Sequence, residues 1–120
     1  MLPLILGFTL LPTGIEYTVT YTEPTSNSDS TQTPLTDLGK TTIYYDIATD
    51  GLPPIKAKTV SASSVLGGKV ITQKVIVPIL PGQESDVSFY ATATDKSGNE
   101  SIHSLPIIKR GDRLVPSSPQ

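Results

Sequence analysis

Apolar and polar side chains alternate along most of this chain, with a period of two residues. Between Ile15 and Thr22, large apolar residues occupy every second position, and threonine or glutamate occupies the positions between them. Because successive side chains of a β-strand point to opposite faces of a sheet, this period predicts half-buried strands and no helix. Turn-forming pairs separate the alternating segments, at Asp50-Gly51, Gly67-Gly68 and Pro81-Gly82.

The pattern predicts seven strands joined by turns. They are expected within residues 1–11, 15–22, 41–47, 55–62, 69–80, 87–93 and 102–108. Residues 25–33 contain only polar side chains and are expected to form a solvated loop. Seven short strands at this spacing favour an antiparallel β-sandwich.

The alternation also predicts which side chains face the space between the two sheets. We expect one inward-facing set made of Val19, Tyr21, Ile43, Tyr45, Val77, Phe89, Ala91 and Ala93. Tyr44 and Tyr90 occupy outward positions on the third and sixth strands, and they share an exposed sheet face if those strands pair. Exposed aromatic residues are frequent at binding interfaces, but a cross-strand pair can also serve only to stiffen the sheet.

Composition narrows the range of functions. The chain has no cysteine, one histidine, and nine basic against eleven acidic residues, for a net charge of −2. It therefore lacks disulfides and cysteine-ligated zinc, and it has no basic patch typical of a protein that binds nucleic acid or an anionic membrane. His103 is expected to be a surface residue, and no Gly-x-Ser-x-Gly motif is present. We expect a soluble, non-enzymatic module with no cofactor and no metal.

The apolar segment from Met1 to Leu11 has the composition of a targeting sequence. However, the first basic residue is Lys40, so the basic n-region of a secretory signal is missing. The segment is also far shorter than the roughly 20 residues that span a bilayer. We expect a first β-strand here, with Leu4, Leu6 and Phe8, or the residues that alternate with them, turned inward.

Several segments resemble bacterial and phage fibronectin type III domains. Residues 22–24, 33–38 and 43–45 are similar to the region between the second and third strands of that family, and residues 89–101 to its sixth strand and following turn. The resemblance spans roughly residues 15–108. Tyr21 stands where the family usually has tryptophan, and Val87 where it usually has a corner tyrosine. The resemblance implies a seven-stranded, immunoglobulin-like sandwich over residues 1–109 and a Pro/Ser-rich tail over 110–120.

The resemblance also implies a function. Small stand-alone proteins of this kind occur among phage genes, which suggests a virion accessory protein, either a capsid decoration protein or a tail or neck component. It would be assembled in the host cytoplasm and bind other capsid or tail subunits as part of a homo- or hetero-oligomer. The alternative is a bacterial secreted or cell-surface module for adhesion or carbohydrate binding.

Two further segments are candidates for contacts. The chain termini are expected to contact neighbouring subunits, through Leu4, Leu6 and Phe8 at one end and Arg110, Asp112, Arg113 and Leu114 at the other. Arg110-Gly111-Asp112 has the sequence of an integrin-binding tripeptide, but it falls after the last predicted strand and is interpreted as a polar hinge.

Residues 95–100 carry alternating oxygen-bearing side chains, as a calcium loop does, but they are expected to form a turn with Gly98 or Asn99 at positive φ.

Overall fold

The chain folds into two antiparallel β-sheets. A computed structural model describes the backbone of residues 4–119 and the side chains of residues 7–119. The strands are β1 (Leu4–Leu11), β2 (Gly14–Thr22), β3 (Leu38–Ile47), β4 (Ile55–Ser61), β5 (Val70–Val77), β6 (Glu84–Asp95) and β7 (Ile107–Asp112). The described residues contain no helix. The all-β, seven-stranded antiparallel sandwich predicted from the alternation is confirmed.

The sheets have three and four strands. One has the order β1-β2-β5, and the other has the order β4-β3-β6-β7. The hairpins β1–β2, β3–β4 and β6–β7 each lie within one sheet, and the remaining connections cross from one sheet to the other. In the centre of the larger sheet, Tyr44 of β3 lies opposite Tyr90 of β6, and Tyr45 lies opposite Phe89.

The apolar core lies between the sheets, as the alternation predicts. All members of the predicted inward-facing set are buried except Ala93, which is half-buried. Ala93 is less covered because it lines an open cleft at one end of the sandwich. Tyr17 of β2 and Phe89 of β6 meet across the core, with ring centroids 4.9 Å apart and the rings inclined at 62°. This edge-to-face contact joins the middle strands of the two sheets.

The last strand differs from its prediction. It runs from Ile107 to Asp112, whereas the pattern predicted residues 102–108. Residues 101–104 still run beside β6, but they bond to it partly through side chains. The hydroxyls of Ser101 and Ser104 accept hydrogen bonds from the amides of Ala93 and Ala91, at 2.9 and 3.0 Å. The regular ladder resumes only after Pro106, which has no amide hydrogen to donate.

The expected boundary between residues 109 and 110 falls inside β7. Arg110, Gly111 and Asp112 pair with Asp86, Ser85 and Glu84 of β6. Backbone bonding continues one residue further, because the Arg113 amide donates to the Gln83 carbonyl at 2.8 Å. Residues 114–119 are exposed and have no regular secondary structure.

Two charged side chains tie distant loops together. Glu23, at the end of β2, is buried, and its carboxylate accepts hydrogen bonds from the Ser63 hydroxyl at 3.0 Å and the Lys69 amide at 3.1 Å. At the other end of the sandwich, one guanidinium nitrogen of Arg113 donates to the carbonyls of Leu11, Gly14 and Ile79. These contacts connect segments far apart in sequence without a disulfide.

We expect Phe89→Ala to lower the free energy of unfolding by about 3–5 kcal/mol, because it removes a fully buried ring and leaves a cavity between the sheets. Urea denaturation measures this loss. Thr59→Ala, at an exposed position of β4, is the matched control and should change stability by less than about 0.5 kcal/mol. Equal losses in both variants would contradict the assignment of the core.

We expect Glu23→Ala to lower the free energy of unfolding by about 1–3 kcal/mol, because it leaves the part-buried amide of Lys69 and the Ser63 hydroxyl without their acceptor. Glu16→Ala is the control, since Glu16 makes only a long surface ion pair of 3.8 Å with Lys74. Thermal unfolding of both variants distinguishes them. A Glu23→Ala variant as stable as Glu16→Ala would contradict a stabilising role for the hydrogen bonds of the buried carboxylate.

Candidate functional site

The outer face of the four-stranded sheet carries a row of aromatic rings. Tyr44 and Tyr90 stack with centroids 5.1 Å apart and an interplanar angle of 10°. His103, from the segment beside β6, approaches Tyr90 at 4.7 Å with a tilt of 48°. On the side of Tyr44 that faces away from Tyr90, Lys56 of β4 is its cross-strand neighbour. Tyr44 and Tyr90 therefore share one sheet face, as expected, and His103 extends the row of rings.

Glu100 lies at one end of this row. Its Oε2 accepts hydrogen bonds from the Tyr44 hydroxyl at 2.9 Å and from the Thr92 hydroxyl at 2.6 Å. These two bonds, the Thr92 bond foremost, lower the pKa of the Glu100 carboxyl below its ordinary value, and nearby lysines add to the effect. Partial burial and the bond to Glu100 raise the pKa of Tyr44. At neutral pH, a charged acceptor therefore fixes the orientation of the Tyr44 ring.

The aromatic row can serve two roles. Tyr44 and Tyr90 are half-buried, and their stacking stiffens the pairing of β3 with β6. The row also presents amphipathic rings at low entropic cost, which suits a binding surface. The contacts of Tyr90 with Tyr44 and His103 cover much of its ring, because these neighbours belong to the segments on either side of β6.

The segment that carries His103 also carries three exposed apolar side chains. Ile102, Leu105 and Ile108 are 91, 74 and 61% exposed. The sequence pattern placed all three in one regular strand and gave no sign that they would be exposed. The reason is local: Ser101 and Ser104 use their hydroxyls to follow β6, so the segment between them does not alternate between core and solvent.

An open cleft of about 600 Å³ lies at the end of the sandwich where residues 24–35 approach residues 99–105. Its floor includes the buried Leu35, Leu38 and Ala91. The polar loop on its rim is ordered, because the Asp29 carboxylate accepts hydrogen bonds from the amide and the hydroxyl of Thr33 at 2.8 and 2.7 Å. The same contacts lower the pKa of Asp29.

The segment that resembles a calcium loop is a turn, as expected. The Asp95 carboxylate accepts hydrogen bonds from the Ser97 amide and from both the amide and the side chain of Asn99, at 2.9 to 3.0 Å. Gly98 has a φ of 92°, the left-handed conformation that favours glycine. The bonds from Asn99 lower the pKa of Asp95. Within residues 4–119, no group of three or more His, Cys, Asp or Glu side chains could hold a metal ion.

The interpretation of Arg110-Gly111-Asp112 as a hinge is wrong, because the tripeptide lies inside β7. Arg110 forms ion pairs with Glu84 and Asp86 of β6, at 3.1 and 3.3 Å. Gly111 is buried, and a Cβ there would meet the side chains of Ile79, Tyr17 and Ile15. The motif is therefore explained by pairing and close packing rather than by display on a loop.

The remaining sequence-based candidates have different environments. Arg113 is half-buried and occupied with the three backbone carbonyls described above, whereas Leu114 is exposed. Phe8 and Leu10 of β1 lie opposite the buried Tyr17 and Ile15, on the inner face of the sheet. They are nevertheless 66 and 53% exposed, because the second sheet does not cover this edge. The side chains of Leu4 and Leu6 lie outside the described residues.

Comparison with protein-family models, with curated proteins and with solved structures finds no match to this chain. Among residues 4–119, no helix is long and apolar enough to cross a bilayer. The surfaces described above must therefore be interpreted from their own chemistry.

We expect Tyr44→Phe to raise the pKa of Glu100 towards its ordinary value, because the variant loses one of the two hydroxyl donors. An NMR titration of the Glu100 side chain measures this pKa. Because the folded-state pKa is depressed, the stabilisation is present above the ordinary pKa of a glutamate and is lost as the pH falls through the folded-state value. Thr92→Val should act in the same direction, and a Glu100 pKa that is unchanged in both variants would contradict the hydrogen-bonded geometry.

Proposed function

We propose that this protein is a non-enzymatic structural module of the fibronectin type III kind, which acts by binding other protein subunits. The position of β4 supports the fold assignment. In constant-type immunoglobulin domains, the fourth strand joins the sheet of the first, second and fifth strands. Here β4 pairs with β3 in the opposite sheet.

The observation that carries the proposal is the exposure of Ile102, Leu105 and Ile108 in the segment that includes His103. Three large apolar side chains within seven residues, each more than half exposed, are costly to leave in water. Such surfaces mark protein–protein contacts in many folded proteins. A partner that covers this segment would gain apolar burial in the centre of its interface and polar contacts with the serines, His103 and Glu100 around it.

Among the possible settings, we favour a phage virion, where the protein would be a capsid decoration protein or a tail or neck component. Two features support this setting: the resemblance to phage fibronectin type III proteins, and the presence of exposed apolar segments on more than one side of the sandwich. Assembly would take place in the host cytoplasm, and the partners would be other capsid or tail subunits.

The alternative is a secreted or surface module of a bacterium that binds carbohydrate, and the aromatic row favours it. Sugars commonly stack on aromatic faces, and the half-buried Tyr44 and Tyr90 are the tyrosines of this sheet face. However, neighbouring rings approach Tyr90 from both sides, which leaves little free ring face for a sugar. The protein-binding interpretation therefore fits the geometry better.

The experiment compares virions assembled with the unchanged chain and with an Ile102→Asp/Leu105→Asp variant. We expect quantitative mass spectrometry of the purified particles to show an occupancy at least about tenfold lower for the variant, because a charge replaces apolar contact at the centre of the interface. Leu52→Asp/Leu66→Asp introduces the same charges at two other exposed leucines and should leave the occupancy unchanged.

Absence of the unchanged chain from virions would contradict the virion setting. Equal occupancy for all three chains would contradict the assignment of the 102–108 segment as the contact. Binding of the unchanged chain to a glycan array, lost in Tyr44→Ala and retained in Ile102→Asp/Leu105→Asp, would instead support the carbohydrate-binding alternative.

A further inference from the structure

The four edge strands of the two described sheets differ in how they are protected against pairing with another chain. Three of them carry a basic residue near their centre: Lys58 in β4, Lys74 in β5, and Lys109 beside Arg110 in β7. Prolines also precede β4 and β7. Lysine and proline are common devices that prevent a free edge from extending its sheet.

The edge strand β1 differs from these three in having no charge, although Pro3 precedes it and a bulge interrupts its pairing with β2. Its eight residues, Leu4–Leu11, include no charge and no proline, and Thr9 is the one polar residue among them. Phe8 and Leu10 are exposed although they lie on the inner face of the sheet. An uncharged edge with uncovered apolar side chains on one face is suited to continue the sheet into another strand.

The pairing register of β1 limits which strand can be added. A bulge interrupts the pairing between Ile5 and Gly7, and regular pairing with β2 extends from Gly7 to Leu11. The centre of this regular segment is Thr9. If two copies paired antiparallel about a two-fold axis at Thr9, each Phe8 would lie opposite the partner's Leu10 on the same sheet face.

The absence of charge makes β1 the edge strand best suited to pair with its own copy. When a strand pairs antiparallel with its own copy about its centre, the central residue lies opposite itself, so a central charge would face a like charge. Self-pairing is therefore disfavoured for β4, β5 and β7, and it brings no charges together for β1. The uncovered Phe8 and Leu10 would also cover one another, because each copy supplies both.

We propose that β1 pairs with the β1 of a second copy about Thr9, which joins two three-stranded sheets into one continuous six-stranded sheet. This inference deepens the proposed function, on which it rests, by naming one partner. It concerns a surface separate from the 102–108 segment, so each can be tested without the other.

Thr9 provides a sharp test, because it is exposed and should lie opposite its own copy. Sedimentation equilibrium of the unchanged chain should show a reversible dimer. Thr9→Lys alone and Thr9→Glu alone should each weaken dimerisation about tenfold or more, since each places like charges opposite one another. An equimolar mixture of the two variants should restore dimers, because lysine then faces glutamate. Thr72→Lys adds the same charge to an exposed position of β5 and should dimerise like the unchanged chain.

Three outcomes would overturn the proposal: a monomeric unchanged chain at every concentration, a dimer insensitive to both Thr9 variants, or a mixture that stays monomeric. Circular dichroism of each variant confirms that the sandwich is folded, and restoration in the mixture shows this independently. A monomeric chain whose virion occupancy is reduced by Thr9→Lys would assign the edge to a different subunit, which overturns self-pairing and leaves the proposed function intact. Failure of the Ile102→Asp/Leu105→Asp experiment would have no bearing on this dimer.

Discussion

The contact between Tyr17 and Phe89 is the interaction on which the rest of the sandwich depends. It joins the middle strand of one sheet to a central strand of the other, and the remaining core side chains pack around it. It also explains the buried glycine of β7, because Tyr17 and Ile79 fill the space that a side chain at Gly111 would need. The Tyr17 hydroxyl has no protein hydrogen-bond partner among the described residues, and burial raises its pKa. Apolar contact of the ring must outweigh that cost.

Because the chain has no cysteine, polar ties perform the closing role that disulfides have in many small β-domains. Glu23 joins the end of β2 to the loop between β4 and β5. At the other end of the sandwich, Arg113 joins the end of β7 to three backbone carbonyls. Both are buried or half-buried charges with several hydrogen bonds, which is the condition under which a charge can lie inside a protein. Arg113 also holds the end of β7 against the turn between β1 and β2.

Alternation alone predicted the first six strands, with boundaries that differ by a few residues, and seven of the fifteen buried apolar residues, since each half-buried strand shows its inward face as a period of two in the sequence. It also brought Tyr44 and Tyr90 to one face once β3 and β6 were known to pair. Three features could not be found this way. The hydroxyls of Ser101 and Ser104 replace regular strand pairing, and Arg110 is held by Glu84 and Asp86. Glu23 bonds to Ser63 and Lys69, which lie 40 and 46 residues further along the chain. Each feature depends on a partner distant in sequence, or on a side-chain hydroxyl that accepts the hydrogen bond a backbone carbonyl would accept. The alternation of apolar and polar residues carries no record of such contacts.

Two of the apolar surfaces that this core leaves uncovered are the β1 edge and the 102–108 segment, and we propose that these two surfaces, rather than a pocket, make the contacts. Amide hydrogen exchange at low and high protein concentration tests the β1 part of this claim residue by residue. We expect the amides of Gly7–Leu11 that point away from β2 to exchange more slowly as the concentration rises, while those of β4 and β7 exchange at the same rate. Rates in β1 that do not depend on concentration, together with slowing in the loops around the cleft, would contradict the claim.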